Sequence, residues 1–366
     1  MQQIHISIII PAYNHQDFIG AAIESVLQQS YKNFELIIID DHSSDQTTKV
    51  ITQYNDPRLK FSEHSANLGA SDTINEGIQR ACGDFVTILN SDDIFLPNRL
   101  ERLLEIAELE SAEFIATDVE LIDKNGSVIR DKNHWWIEWV DGLRSLYSSS
   151  GDIVQALLAG NFFISTSNFF IKREVFSRIG LFNNYRYTAD YEFILRYLAD
   201  NQHRIFYLFN EKLLQYRLHD HNTIRESPIA PNRETFQILS RWFPELLQQS
   251  VDRQRSYAMN RQLEKVISYI IEDTLQPKQR EVDALLNSLR AKDIDLNKLN
   301  EFNYQKDLQI QQLQASKDLQ IQRLQASSDL IQQELNQQVE RLIQSDSYKL
   351  GQLIFRPLSR LKKLLQ

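Results

Sequence analysis

Short, continuous apolar runs alternate with segments of helical spacing over the first hundred residues. The run 6–10 ends at Pro11, residues 18–29 place apolar side chains on one helical face, and 34–39 is apolar again, which predicts a βαβ unit. Residues 43–53 read as the next helix, 59–61 as a short strand, 71–81 as a helix and 84–89 as a strand. Such alternation predicts a mainly parallel sheet with helices on both faces. A helix at 98–110, a strand at 114–117 and a hairpin through Asp123-Lys124-Asn125-Gly126 follow. Further on, 162–171 reads as a strand and 191–198 as a helix. Between them, 133–147 carries Trp135, Trp136 and Trp139, more aromatic area than a loop usually exposes. A lid or acceptor-side wall and an ordinary core helix are both open readings.

The pattern changes beyond about residue 242, where strand signals stop. KDLQIQQLQAS from Lys306 and KDLQIQRLQAS from Lys317, with a decayed copy from Ser328, make an eleven-residue repeat. Its period, about 3.67 residues per turn, favours a straight or right-handed supercoil. Ile310, Leu313, Ile321 and Leu324 form one stripe, and Leu308, Leu319 and Leu330 another. A two-sided helix is expected either to join other copies in a homo-oligomer or to pack back on the protein, with a solvated single helix as the plainer alternative. In the tail, Lys349, Arg356, Arg360, Lys362 and Lys363 face one acid, Asp346, beside a leucine-rich set. This suits an anionic membrane surface; burial of the leucines on the protein is the alternative. The expected divisions are 1–240, a helical connector 241–290, a coiled-coil-like helix 291–344 and the basic tail 345–366.

Composition narrows the class. A chain of 366 residues, 42% apolar, holds a substantial core, and a net charge of −9 argues against a nucleic-acid partner. The single cysteine, Cys82, excludes an internal disulfide and a cysteine-based zinc site, and reads as a small buried residue. No run approaches the roughly 20 apolar residues of a spanning helix, and no signal-peptide pattern precedes the first strand. A cytoplasmic location, peripheral on the inner membrane face, is expected.

The candidate chemistry centres on LNSDDIFLP, where Asp92 and Asp93 follow an apolar strand. The carboxyl ends of strands border the binding crevice of an open α/β sheet, and adjacent carboxylates there suit Mg²⁺ or Mn²⁺ on a diphosphate. A helix cap is the plainer alternative. The stretches SIIIPAYNHQDFIGAAIESVLQQSYKNFELIIIDDHSSDQT and NLGASDTINEGIQRACGDFVTILNSDD resemble the family 2 glycosyltransferases, over about the first 225 residues. The resemblance implies a GT-A fold, a Rossmann-like parallel sheet flanked by helices. It also implies inverting transfer from a nucleoside-diphosphate sugar, with a divalent metal on the diphosphate.

On that resemblance Pro11, Ala12 and Tyr13 form the nucleotide-binding turn, and Asn67 and Gly69 the N-x-G loop. Asn75 and Gly77 continue the pattern, but Ile74 stands where many members carry arginine. Asp40 is positioned to accept from a uracil-type imide, with Asp41 orienting the loop; one of the two reads the base. Asn90 replaces the usual first acid of the metal motif and retains a ribose contact, which leaves Asp92 and Asp93 for the metal. RYTADYEFILRYL resembles the acceptor-side motif and makes Asp190 the general base; QYRLHDHNT brings His219 to the metal or diphosphate. Arg217 and Arg225 are weaker phosphate candidates, and His221 reads as a surface residue. The expected acceptor is a hydroxyl of a lipid-linked or cell-surface glycan. The alternative is a non-catalytic assembly protein carrying a degenerate transferase domain.

Overall fold

Strand β1 (Ile6–Ala12) shows why the apolar runs are continuous. Ile6, Ile8 and Ile10 join the core formed with α1 (Ile19–Leu27) and α4 (Arg99–Glu110), while Ile9 faces α3 (Ala70–Arg80) on the other side. A strand covered on both faces needs apolar residues at successive positions rather than at alternate ones. Each fully buried isoleucine contributes about 1.5–3 kcal/mol relative to exposure. Helix α3 approaches so closely that a Cβ on Gly77 would lie 2.4 Å from Ile9 Cγ2.

The computed structural model describes residues 4–248, apart from 132–133, 201–204, 221, 224–226 and 228–229, and also positions 262 and 306. Its remaining strands are β2 (Phe34–Asp40), β3 (Leu59–Glu63), β4 (Phe85–Ile88), β5 (Ile94–Phe95), β6 (Phe114–Ile122), β7 (Phe170–Lys172) and β8 (Ile205–Arg217). They form one eight-stranded sheet in the order β3-β2-β1-β4-β7-β6-β8-β5. Pairs among β1 to β4 are parallel, as is β6 with β8, whereas β7 runs antiparallel to β4 and β6, and β5 to β8. The sheet is thus mixed on its β7 side and parallel where the sequence motifs lie.

The other helices are α2 (Thr47–Ile51), α5 (Trp135–Ser150), α6 (Ile153–Ala159), α7 (Glu174–Ile179), α8 (Ala189–Ala199) and α9 (Ala230–Gln248). Three expectations change. Residues 162–171 are not one strand: a 3-10 turn at Thr166–Asn168 interrupts them and leaves only β7, because side chains of the turn serve neighbouring strands. Helix α2 is shorter than 43–53, since Asp45 and Ser43 spend their side chains on loop bonds. Cys82 is exposed rather than buried; its Sγ donates to the buried Glu35 at 3.0 Å.

By internal contact the chain divides into residues 1–246 with 252–273, and 247–251 with 274–366. The sheet belongs to the first unit. Helix α9 runs through the expected boundary at residue 240. Apart from that helix and positions 262 and 306, the connector, repeat helix and basic tail lie outside the described residues. No helix among the described residues is long and apolar enough to cross a membrane.

Candidate active site

The parallel register brings three strand ends to one edge. Ala12 pairs with Asp40 and Ile9 with Ile88, so the segments leaving β1, β2 and β4 emerge side by side. A cleft of about 1340 Å³ opens there, lined by Pro11, Ala12, Tyr13, Asn67, Gly69, Asn90, Asp92 and Asp190 among others.

On the donor side the two acids after β2 separate. Asp40 is fully buried and does not line the cleft; its carboxylate accepts from Ser43 N at 2.8 Å and Ser43 Oγ at 2.6 Å. In this arrangement its carboxylate closes the turn after β2. Asp41 lines the cleft instead, accepting from Leu68 N at 2.7 Å and Gly69 N at 2.8 Å, with His64 Nδ1 also 2.8 Å away. Gly69 holds φ at +93°, a conformation open chiefly to glycine, and starts α3. Asn67 donates to the Asp41 carbonyl at 3.2 Å. Asn75 is structural, exchanging two bonds with the Phe182 backbone, and Ile74 reaches the cleft as an apolar residue.

The acid pair after β4 also separates. Strand β5 lies between it and α4, so it is not a helix cap. Asp92 lines the cleft, with Oδ2 at 2.9 Å from His219 Nε2. Burial opposes its ionisation, but the bond to His219 and the proximity of His15 and His219 outweigh that and hold its carboxyl below the usual range. Asp93 points inward, accepting from Ser167 Oγ at 2.6 Å and Arg217 N at 3.0 Å. Burial, then the charge of Asp92, pushes it well above the usual range. In this arrangement Asp93 braces the interior, and of the two acids only Asp92 lines the cleft.

Potential ligand atoms of His15, Asp92 and His219 all lie within 4.8 Å of one another. His15 was missed from the sequence, although it follows β1 by only a few residues and β1 is the neighbour of β4. Its Nδ1 lies 2.7 Å from Ser91 Oγ, and its ring meets that of His219 edge to face at 5.5 Å. Two imidazoles and one carboxylate fit a divalent transition metal, and the nitrogen-rich set favours Mn²⁺ over Mg²⁺. Arg217, buried over Phe18, donates to the carbonyls of Asp92, Asp123 and Lys124. His221 and Arg225 lie outside the described residues.

Asn90 faces the 165–167 turn. Its backbone N–H donates to Ser167 Oγ, its Nδ2 to Ser165 Oγ, and its Oδ1 accepts from Thr166 Oγ1. These bonds tie the end of β4 to that turn, and Asn90 also lines the cleft.

Asp190 occupies the first turn of α8, after the N-cap Thr188. Its Oδ2 accepts from Asn161 Nδ2 at 2.8 Å and its Oδ1 from Tyr191 N at 2.7 Å. Burial pushes the carboxyl up to about 7, against the lowering effect of those two bonds. Glu234 of α9 accepts from Arg186 N, Tyr187 N, Thr188 N and Thr188 Oγ1 at 2.8–3.1 Å, filling the start of α8 with a carboxylate. Neither Asn161 nor Glu234 was visible in the sequence as a site residue.

A mostly parallel sheet, a nucleotide-sized cleft at its carboxyl edge and an acid after β4 define the GT-A class of fold. Residues 7–180, just under half of the chain, match the family described as Glycosyl transferase family 2, and over that region the chain is similar to it. WfgD of Escherichia coli, named as a UDP-Glc:alpha-D-GlcNAc-diphosphoundecaprenol beta-1,3-glucosyltransferase, is 36% identical over 128 residues, which cover 35% of this chain and 51% of WfgD. This chain thus spans about half the length of that relative. Among solved structures, S. aureus TarS 1-349 with UDP-GlcNAc superimposes with a TM-score of 0.52 at 17% identity, over 72% of this chain and 81% of that one. The mannosyltransferase PcManGT from Pyrobaculum calidifontis with GDP-Man and Mn²⁺ gives 0.50 at 14% identity, over 78% and 79%. These two likenesses are of fold.

Proposed function

We propose that the protein is an inverting glycosyltransferase. It moves a sugar from a nucleoside diphosphate, UDP in first place, to a hydroxyl of a lipid-linked or polysaccharide acceptor. The observation that carries this reading is one cleft lined by both Asp92, grouped with His15 and His219, and Asp190, a carboxyl pushed up to about 7. A carboxylate with that affinity for protons is a fit general base near neutral pH. Asp190 takes the proton of the acceptor hydroxyl as its oxygen attacks the anomeric carbon and the bond to the diphosphate breaks.

Tyr13 and Asp41 receive the base, with the carboxylate of Asp41 facing an imide N–H. His15, Asp92 and His219 would hold Mn²⁺, which supplies charge stabilisation to the leaving diphosphate without proton transfer. Uridine is favoured by the activity for which WfgD is named, whose acceptor is also a diphosphate-linked lipid. The basic tail 345–366 then brings the domain to an anionic membrane surface, and the repeat at 306–330 joins copies of the chain.

The test is a screen of UDP-sugars with Mn²⁺ and a GlcNAc diphosphate on a short alkyl chain. Transfer is expected, with the product's anomeric configuration opposite to the donor's by proton NMR. Nucleotide binding with neither transfer nor donor hydrolysis would instead favour the non-catalytic reading. A chain ending near Ser345 that sediments with anionic vesicles as well as full length does would remove the membrane role of the tail.

A further inference from the structure

The proposed chemistry leaves the aromatic wall of the cleft unassigned. Trp136 and Trp139 of α5 and Tyr216 of β8 all line it. Trp136 is buried and stacked on Tyr216, with centroids 5.8 Å and planes 13° apart, and it meets Trp139 edge to face at 6.4 Å. Each ring is thereby braced by the next. Trp139 also packs close to Gly160, where a Cβ would lie 3.5 Å from its Cζ2. The residue after Gly160 is Asn161, whose amide holds Asp190. The indole therefore packs beside the chain neighbour of the residue that holds the proposed base.

Resting on the reading of Asp190 as that base, we propose that Trp139, backed by Trp136 and Tyr216, is a stacking platform for a pyranose ring of the acceptor. On the proposed reading Tyr13, which follows β1 and lines the cleft, is the aromatic face for the base. An attacking hydroxyl must sit at Asp190, so its ring falls within reach of surfaces adjoining Asn161. Pyranoses present C–H faces edged by hydroxyls. A fixed indole covers such a face while the Asp190 carboxylate and the Asn161 amide meet the edge. A purely apolar ligand such as a lipid chain would leave those polar groups unmatched. The rigid stack also lowers the ordering cost of binding, which suits a platform better than a mobile lid.

The experiment separates this platform from the chemistry it serves. Methyl glycosides of GlcNAc, glucose and galactose are offered to the full chain with UDP and excess diamagnetic Mg²⁺ present, and saturation-transfer NMR reads which ring protons contact protein. At least one glycoside is expected to show saturation on one ring face. Trp139→Ala should abolish it, Trp139→Phe should restore it, and UDP affinity should stay at the wild-type value. With the alkyl-linked GlcNAc diphosphate as acceptor, Trp139→Ala should raise the acceptor KM roughly three- to tenfold while donor hydrolysis is unchanged.

No saturation of any glycoside in the wild type, or equal saturation in Trp139→Ala, overturns the platform. So does a matching loss of UDP affinity in Trp139→Ala, which would mark a structural role. Saturation that depends on Trp139 in a protein that never transfers sugar would sink the catalytic reading and leave the platform standing.

Discussion

The amide of Asn161 donates to Asp190 Oδ2 at 2.8 Å, and the same loop sends Ser165 and Thr166 to Asn90 and Ser167 to Asp93. One loop therefore ties the proposed base to the strand end that carries the acids. A shift of that loop would move both parts of the site together, so its polar contacts are a sensitive place to test the mechanism.

A base must be unprotonated to act. With Asp190 pushed up to about 7 by burial, kcat/KM for transfer is expected to fall as pH drops below about 7 and to level off above it. Asp190→Asn should cost about a hundredfold or more in turnover with UDP binding intact. The Asn161 bond favours the ionised carboxylate, so Asn161→Ala should move the acid limb to higher pH. A wild-type profile flat from pH 5 to 8, or unchanged turnover in Asp190→Asn, would remove this residue from the mechanism.

Glu234 bears on the same carboxyl from another element. Burial is the larger cause of the Asp190 shift, and the charge of Glu234 adds to it. Glu234→Gln should therefore move the acid limb to lower pH, opposite to Asn161→Ala. Glu234→Ala removes the common acceptor of Arg186 N, Tyr187 N and Thr188 N and should cost about 1–3 kcal/mol of stability by denaturant titration. Stability loss in the alanine variant without any pH shift in the glutamine variant would confine Glu234 to a scaffold role.

These contacts mark where sequence reasoning stops. The runs at 6–10, 34–39 and 84–89 are legible because a parallel strand covered on both faces has no polar alternation, and the acids after β4 follow from that. Asp40 and Asp41 could not be told apart, since adjacent residues leaving a strand point to opposite sides and only the loop path decides which meets the cleft. The same ambiguity hid the inward turn of Asp93. The apolar pattern of 162–171 read as a strand because the polar side chains of its turn are buried and hydrogen-bonded to neighbours. Glu234 is a surface-type residue on an amphipathic helix until α9 meets the start of α8, a contact between positions 46 to 48 residues apart.

Gly77 tests how tightly the donor edge depends on the helix behind it. A methyl there would approach Ile9 Cγ2 to 2.4 Å, below any tolerable contact. Gly77→Ala is expected to lower stability by about 1–3 kcal/mol, the usual range for overpacking, and to weaken UDP binding by displacing β1 and the Pro11–Tyr13 turn. Adding Ile9→Ala should recover part of the loss, because the two changes share one space. Fully additive losses in the double variant would mean that α3 and β1 are not in the contact described.

The metal group gives the sharpest division between two neighbouring acids. Asp92 lies with His15 and His219, whereas Asp93 is turned to Ser167 and Arg217. Mn²⁺ titrated with UDP and followed by electron paramagnetic resonance should bind the wild type, and Mg²⁺ should compete poorly for a site with two imidazoles. Asp92→Asn and His15→Ala should each weaken Mn²⁺ about tenfold or more, while Asp93→Asn should leave its affinity near wild type. The last substitution keeps an acceptor for Ser167 and Arg217, so its fold should survive the comparison. Equal losses in Asp92→Asn and Asp93→Asn would restore the adjacent carboxylates as joint ligands, and a neutral His15→Ala would reduce the proposed set to Asp92 and His219.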